Sequence, residues 1–327
     1  MNKGKVSESI LKRSILKKID KRRSEVLIGA GVGEDCAVLL NKEDVTLLSS
    51  DVISFSTKED SFMAVNTAAN NLASSGAEPV GLMVNLLLPE DYEEPELKAV
   101  MGGLEEAAES LNMQIIGGHT TVTSAVNRAV ISITGVGKAI KNNIISASGA
   151  RAGNDVVLTK WIGLEGTFLL AKEYEAELTA KYPARMIYEA AQYDRFMSVV
   201  PEAAPAVKSG VTAMHDVSEG GIFTALWEMA EASHVGLEVE LRKIPVKQET
   251  IEICNYFDIN PYGLLSGGCM LMAAPDGEGT LMALKDAGIP ATIIGKFTDS
   301  NDRILINGET KRFLDSPKAD EILKVLK

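Results

Sequence analysis

The stretch from residue 61 to residue 75, SFMAVNTAANNLASS, limits the possible folds of this chain more than any other. Ala64, Val65, Ala68, Ala69, Leu72 and Ala73 surround the axis of the helix they predict, instead of forming one stripe, so that helix is buried on most sides. Such a helix needs packed partners all round. The 327 residues can supply them: they are too many for one typical core and suit two domains. Aromatic residues are 5% of a chain that is 46% hydrophobic, so Ala, Val, Leu and Ile fill the cores and helices pack through small side chains. Asn66 and Asn70 lie at i and i+4 and share a face, with Asn71 beside them. Buried amides need partners. These three either form an internal hydrogen-bonded ladder or turn a polar stripe toward a ligand or metal.

Around that helix the pattern gives an α+β domain followed by an α/β one. Residues 7–21 read as an amphipathic helix in which Ile10, Leu11, Ile15, Leu16 and Ile19 alternate with Lys12, Arg13, Lys17, Lys18 and Lys21. Arg22 and Arg23 extend its basic face, which is either solvated or turned to phosphate or a partner. Residues 27–33, LIGAGVG, form a Gly-rich loop, and strands at 37–40 and 45–49 make a hairpin through a turn at 41–44. A strand at 80–88, a helix at 94–112, a short strand at 114–116 and a strand at 128–136 complete a β-β-α-β-α-β order. The small, polar run SASGARAGN at 146–154 sets the boundary near 148, giving domains 1–148 and 149–327. Beyond it come a strand at 155–159, a helix at 166–173, helical stretches at 185–199 and 202–208, a strand at 211–214 and a helix at 221–233. Strands at 236–241, 269–273 and 292–296 alternate with helices to the end.

Several function classes are excluded. A net charge of −12 repels phosphate backbones and argues against general nucleic-acid binding. Cys36, Cys254 and Cys269 are too few and too scattered for a disulfide framework or a zinc site, and no CxxC occurs. The polar, charged start predicts no signal peptide, and no apolar run reaches a membrane span, so the chain is expected in the cytoplasm. No Ser-His-Asp or Cys-His constellation can be assembled from spacing. Cys36 beside Asp35 is a nucleophile or, on the plainer reading, a small buried residue on a strand.

What recurs instead is acid beside glycine at strand ends. Glu34 and Asp35 follow Gly33, Asp51 ends the second strand, and Asp216 and Glu219 follow the strand before the 221–233 helix. Mg²⁺ needs a few carboxylate oxygens together with phosphate and water, and converging carboxylates need a cation to compensate them. Each acid taken singly reads equally as a turn or cap residue; Asp216 or Glu219 fits the cap of the next helix. The loop GAGVGED can offer backbone N–H groups to phosphate or simply form a tight turn, since it matches neither a P-loop nor GxGxxG. His119, in GGHTTV, follows a strand among glycines that would let a ligand come close. His234 reads as a surface residue at a helix end.

Taken in order, these segments resemble the superfamily of aminoimidazole-ribonucleotide (AIR) synthase, the hydrogenase-maturation protein HypE, selenophosphate synthetase and thiamine-monophosphate kinase. VGEDCAVLL is similar to the family's GDDAAVL, LLSSDVI to its TD strand, AVNTAANNLASSGAEPVGLMVNLLLPE to N…NDLAxxGAxP, and IIGGHTTV to GGDT or GGET. RAGNDVVLTKWIGLEGT resembles the opening of the second domain, and MHDVSEGGIFTALWEMAEASHVG the segment DxSxGGLxxAL. The resemblance implies a two-domain fold whose N-terminal strands join those of a second copy in a dimer barrel. It further implies ATP and Mg²⁺ in a shared cleft, with phosphate passing to an amide-like, formyl or phosphate oxygen. On this resemblance Asp35, Asp51, Asn71, Asp216 and Glu219 are metal positions. Gly31, Gly33, Asn66, Asn70 and His119 line the nucleotide. The chain departs from the pattern at Asn71 and His119, where the family carries acids, which bears on the number of metals. HypE's C-terminal Cys has no counterpart in EILKVLK. A thiamine-monophosphate kinase and a non-catalytic nucleotide-binding assembly or maturation factor are the rival readings.

Overall fold

The computed structural model describes residues 8–16, 24–41, 44–54 and 57–326. Of the helix expected over 7–21, the described part is α1 (Glu8–Ile10), continued by a π-helical turn over Leu11–Ile15. Residue 7, residues 17–21, Arg22, Arg23 and positions 42–43 of the expected hairpin turn lie outside the described residues.

The first sheet contains β1 (Val26–Ile28), β2 (Ala37–Asn41), β3 (Asp44–Ile53), β4 (Glu78–Leu88), β5 (Gln114–Val122) and β6 (Val130–Ile140). Their spatial order is β1-β2-β3-β6-β4-β5. Only β4 and β5 run parallel, and such a pair requires a crossover, here α3 (Glu94–Ser110). A reciprocal capping box between Glu93 and Glu96 starts that helix. Along each strand alternate residues face inward. Val45, Leu47, Leu82, Val84, Ile131 and Ile133 thus pack beneath α2 (Asp60–Ser74) and α3. The opposite face of the sheet presents Val52, Val80, Met83, Ile116 and Ile140 to solvent.

The second sheet contains β7 (Asp155–Thr159), β8 (Ala213–Val217), β9 (Gly236–Glu240), β10 (Cys269–Ala274), β11 (Ala291–Thr298), β12 (Arg303–Asn307) and β13 (Thr310–Phe313). They are ordered β13-β12-β9-β11-β7-β10-β8, antiparallel except for β9 with β12. Around them lie α4 (Leu164–Glu173), α5 (Glu175–Thr179), α6 (Ala184–Ala190), α7 (Val200–Ser209), α8 (Gly221–Ser233), α9 (Gln248–Phe257) and α10 (Gly277–Asp286). After β13 the chain dips into the core at Leu314, arches over 315–319 and is buried again at Asp320, Ile322 and Leu326.

Apart from shifts of a few residues at element ends, among them β3 running past Asp51 to Ile53, three segments differ from the sequence pattern. GGHTTV is not a loop after a strand but the body of β5. The strand expected at 211–214 lies at 213–217, which places His215 and Asp216 inside a buried strand. The long helix expected over 185–199 stops at Ala190, followed by a 3-10 turn over Tyr193–Phe196. The last change has a hydrogen-bonding cause. Lys160 Nζ takes the carbonyls of Phe196 (3.1 Å) and Ser198 (2.8 Å), and Asn70 takes Met197 O (2.8 Å) while accepting from Val199 N–H (2.8 Å). Backbone groups held by side chains of other segments cannot close helical turns.

The helix α2 belongs to both domains, as its all-round apolar surface required. Ala64, Val65 and Leu72 sit in the first core, Met63 in the second, and Ala73 packs with Val157, Met214 and Met270. The Asn70 amide is the polar tie across this seam. Asn70→Ala leaves a buried carbonyl and a buried N–H without partners, an expected loss of about 2–4 kcal/mol of stability. Urea denaturation of the two proteins measures it, and a loss within error of zero contradicts the tie.

Candidate functional site

At the seam between the sheets lies a cleft of about 440 Å³. From the first domain it is lined by the Gly31–Asp35 loop, by Ser49, Ser50 and Asp51 toward the end of β3, and by Asn71 of α2. From the second come His215 of β8, Ser218 and Glu219 in the following turn, and Thr224 and Glu228 of α8. Glu8 of α1 and Pro317 and Lys318 of the C-terminal arch complete the rim. Gly33 shows why the loop is glycine-rich. Its φ is +72°, and a Cβ there would stand 3.1 Å from the carbonyl of Glu228. A side chain there would crowd α8 and strain the backbone.

His215 is the centre of the site. It is 3% exposed, with Nδ1 2.8 Å from the Asp35 carboxylate and Nε2 3.0 Å from Glu228. Both ring nitrogens face acceptors, so both carry protons and the ring is an imidazolium. Burial by itself would lower the pKa. The charge and hydrogen bond of Asp35, then those of Glu228, outweigh it and hold His215 well above its ordinary value. Asp35 also accepts from Ser74 Oγ at 2.9 Å, and Asp216 Oδ1 lies 4.0 Å from Nδ1. Ligand atoms of Asp35, His215 and Asp216 all lie within 4.8 Å of one another.

A second group forms around Asp51. Asn71 Nδ2 donates to Asp51 Oδ2 and to Ser49 Oγ, each at 2.8 Å, and Ser49 Oγ lies 3.2 Å from Asp51 Oδ2. Cys36 gives its Sγ–H to Asn71 O at 3.1 Å, and burial pushes its thiol pKa up, so it is a packed residue rather than a nucleophile.

Of the residues singled out in the sequence, Gly31, Gly33, Asp35, Asp51, Asn71 and Glu219 line the one cleft, and Asp216 stands beside it. Three do not join them. Asn66 Nδ2 bonds Phe62 O within its own helix at 3.0 Å, and Asn70 is the interdomain tie, so this pair forms internal bonds and no ligand stripe. Residues 70 and 71 are about 100° apart around a helix, which sends Asn71 alone toward the cleft. His119 is exposed on β5, in register with Asn85, away from the cleft of its own chain. Sequence reasoning missed Glu228 and the pairing of His215. The signal was the spacing of Thr224 and Glu228, one helical turn apart on α8 and on the same face.

Two family models match the chain: the N-terminal domain of AIR synthase related protein over residues 33–139, and its C-terminal domain over residues 151–306. A putative hydrogenase expression/formation protein of Methanocaldococcus jannaschii is 28% identical over 334 residues, which cover 98% of this chain and 97% of that one. The carbamoyl dehydratase HypE of Rhodobacter capsulatus is 26% identical, with 72% and 68% covered. The crystal structure of Escherichia coli HypE superposes with a TM-score of 0.73 at 25% identity, over 84% of this chain and 87% of that one. A HypE crystallised in complex with ATP superposes with a TM-score of 0.71 at 19% identity, over 98% of both chains.

The enclosed imidazolium makes a testable contribution to stability. Its proton is retained in the folded chain where the unfolded chain has lost it. The contribution is therefore complete below about pH 6.5 and shrinks as pH climbs toward the raised folded value. At low pH, His215→Gln leaves Asp35 and Glu228 without their cation, at a cost of about 3–5 kcal/mol. In chelator-treated protein, the gap in melting temperature between wild type and variant narrows as pH rises from about 6 to about 9. A constant gap would contradict the charged pairing.

Proposed function

The chain belongs to the AIR synthase related family, and from that premise we propose that it binds ATP with Mg²⁺ in this cleft and transfers phosphate to an oxygen of an acceptor. The observation that carries the proposal is the meeting of loop glycines, Asp35, Asp51, Asn71 and Glu219 from both domains in a single cleft. The donor chemistry suits the ion. Asp35, Asp51, Asp216 and Glu219 offer the carboxylate oxygens that Mg²⁺ prefers, and they would hold it. When bound, such an ion supplies charge neutralisation at the phosphates.

The chain's own residues account for the rest. Backbone N–H groups of the Gly31–Gly33 loop are suited to cradle phosphate. Asn71 and Ser49 hold Asp51 in one orientation, and the His215 imidazolium offsets the charge of Asp35 and Glu228. Phosphoryl transfer depends on positioning and electrostatics, which agrees with a cleft that carries no ionised thiol. Among amide-like, formyl and phosphate acceptors, relatives named carbamoyl dehydratase favour an amide oxygen. Leaving as phosphate, that oxygen would take the elements of water from the acceptor.

We further propose a homodimer built on the open face of the first sheet. An apolar set such as Val52, Val80, Met83, Ile116 and Ile140 is unusual for exposed β-structure and suits burial against a second copy. A second reading, nucleotide binding without turnover in an assembly factor, is favoured by Asn71, whose amide donates to Asp51 where the family pattern has another acid.

By calorimetry, wild type binds Mg–ATP, and Asp51→Ala or Asp216→Ala weakens binding by about 10–100-fold. Unchanged affinity in both variants removes the proposed metal site. In light scattering the wild type elutes as a dimer, and the double variant Met83→Glu with Ile116→Glu as a monomer. A wild-type monomer sinks the dimer.

A further inference from the structure

We propose that Lys318, on the C-terminal arch, is the cation that engages the terminal phosphates of the bound nucleotide; this rests on the ATP reading above. The argument begins with charge. Glu8, Glu34, Asp35, Asp51, Glu219 and Glu228 all line the cleft, and among the described lining residues only His215 and Lys318 are cationic. His215 has both nitrogens engaged by carboxylates and no N–H left for a ligand. A polyphosphate entering such a wall meets repulsion that a divalent ion offsets only in part. A positioned ammonium supplies the remaining charge and up to three donors.

The position of Lys318 is built, not incidental. Its arch is fixed at both ends. On one side Leu314 is buried and donates its N–H to Arg303 O at 2.7 Å. On the other, the buried Asp320 carboxylate accepts three backbone N–H groups: Gly220 at 2.5 Å, Ile322 at 2.8 Å and Leu265 at 3.2 Å. Gly220 directly follows Glu219 of the cleft wall, so the same carboxylate ties the arch to the site it overhangs. Between the anchors only residues 315–319 remain outside the core, too short a span to swing away. Lys318 Nζ now bonds Asp315 at 2.7 Å, with both side chains well exposed. An exposed pair of this kind is worth little, so the ammonium can exchange Asp315 for a phosphate at small cost.

The test uses the full-length protein and calorimetry with ATP, ADP and AMP in the presence of Mg²⁺. Lys318→Ala is expected to weaken ATP and ADP by about tenfold, and AMP by less than about twofold. Lys318→Arg, which keeps the charge, stays within about threefold of wild type for ATP. The proposal is overturned if Lys318→Ala binds ATP as wild type does, or if it loses AMP to the same degree as ATP. Melting curves of each variant check that the arch remains docked. Failure of the wild type to bind any of the three nucleotides is a different result: it overturns the ATP reading and this inference with it.

Discussion

The cleft depends on one imidazolium enclosed by carboxylates from both halves of the molecule. Asp35 arrives on the loop before β2, Glu228 on α8, and His215 on β8 between them. Without a cation, two carboxylates brought this close in a buried place would push the domains apart or take up protons. With it, the opposing charges balance and the two segments stay in register. The Gly-rich loop is drawn against α8, where Gly33 allows backbone to meet backbone. Electrostatics and steric fit thus act on the same few residues.

Much of this was legible in the chain. Two domains, the buried helix at 61–75, and the placement of Asp35, Asp51, Asn71 and Glu219 around a shared cleft follow from apolar pattern, turn residues and the family resemblance. What failed was local pattern where a distant partner decides. His215 and Asp216 look like a strand ending, because nothing nearby in sequence reveals that Asp35 and Glu228 pair with the buried His215 ring. The helix at 185–199 looks continuous because the groups that interrupt it, Lys160 and Asn70, belong to other segments. Glu228 lay hidden among the ordinary helix formers of WEMAEAS, where only its phase relative to Thr224 marked it.

The three cysteines narrow the chemistry further. Cys36, Cys254 and Cys269 are all buried, and burial raises the thiol pKa of the last two to about 12. None is poised as a thiolate at neutral pH. The proposed chemistry accordingly draws on oxygen donors, backbone N–H groups and bound charge, in keeping with a cleft whose ionisable lining is mostly acid.

The sharing of α2 by both cores limits how the protein can move. Two-domain enzymes often open and shut as rigid halves about a flexible strap. Here the element between the halves is a buried helix, clasped on one side by a sheet and on the other through Asn70 by the neighbouring fold. Hinging would tear apolar surface from both interiors at once. Any opening of the cleft would instead fall to its thin margin at the glycine loop, since the terminal arch is anchored at both ends. A ligand would then be admitted by local loosening of backbone at that margin, not by a swing of one domain against the other.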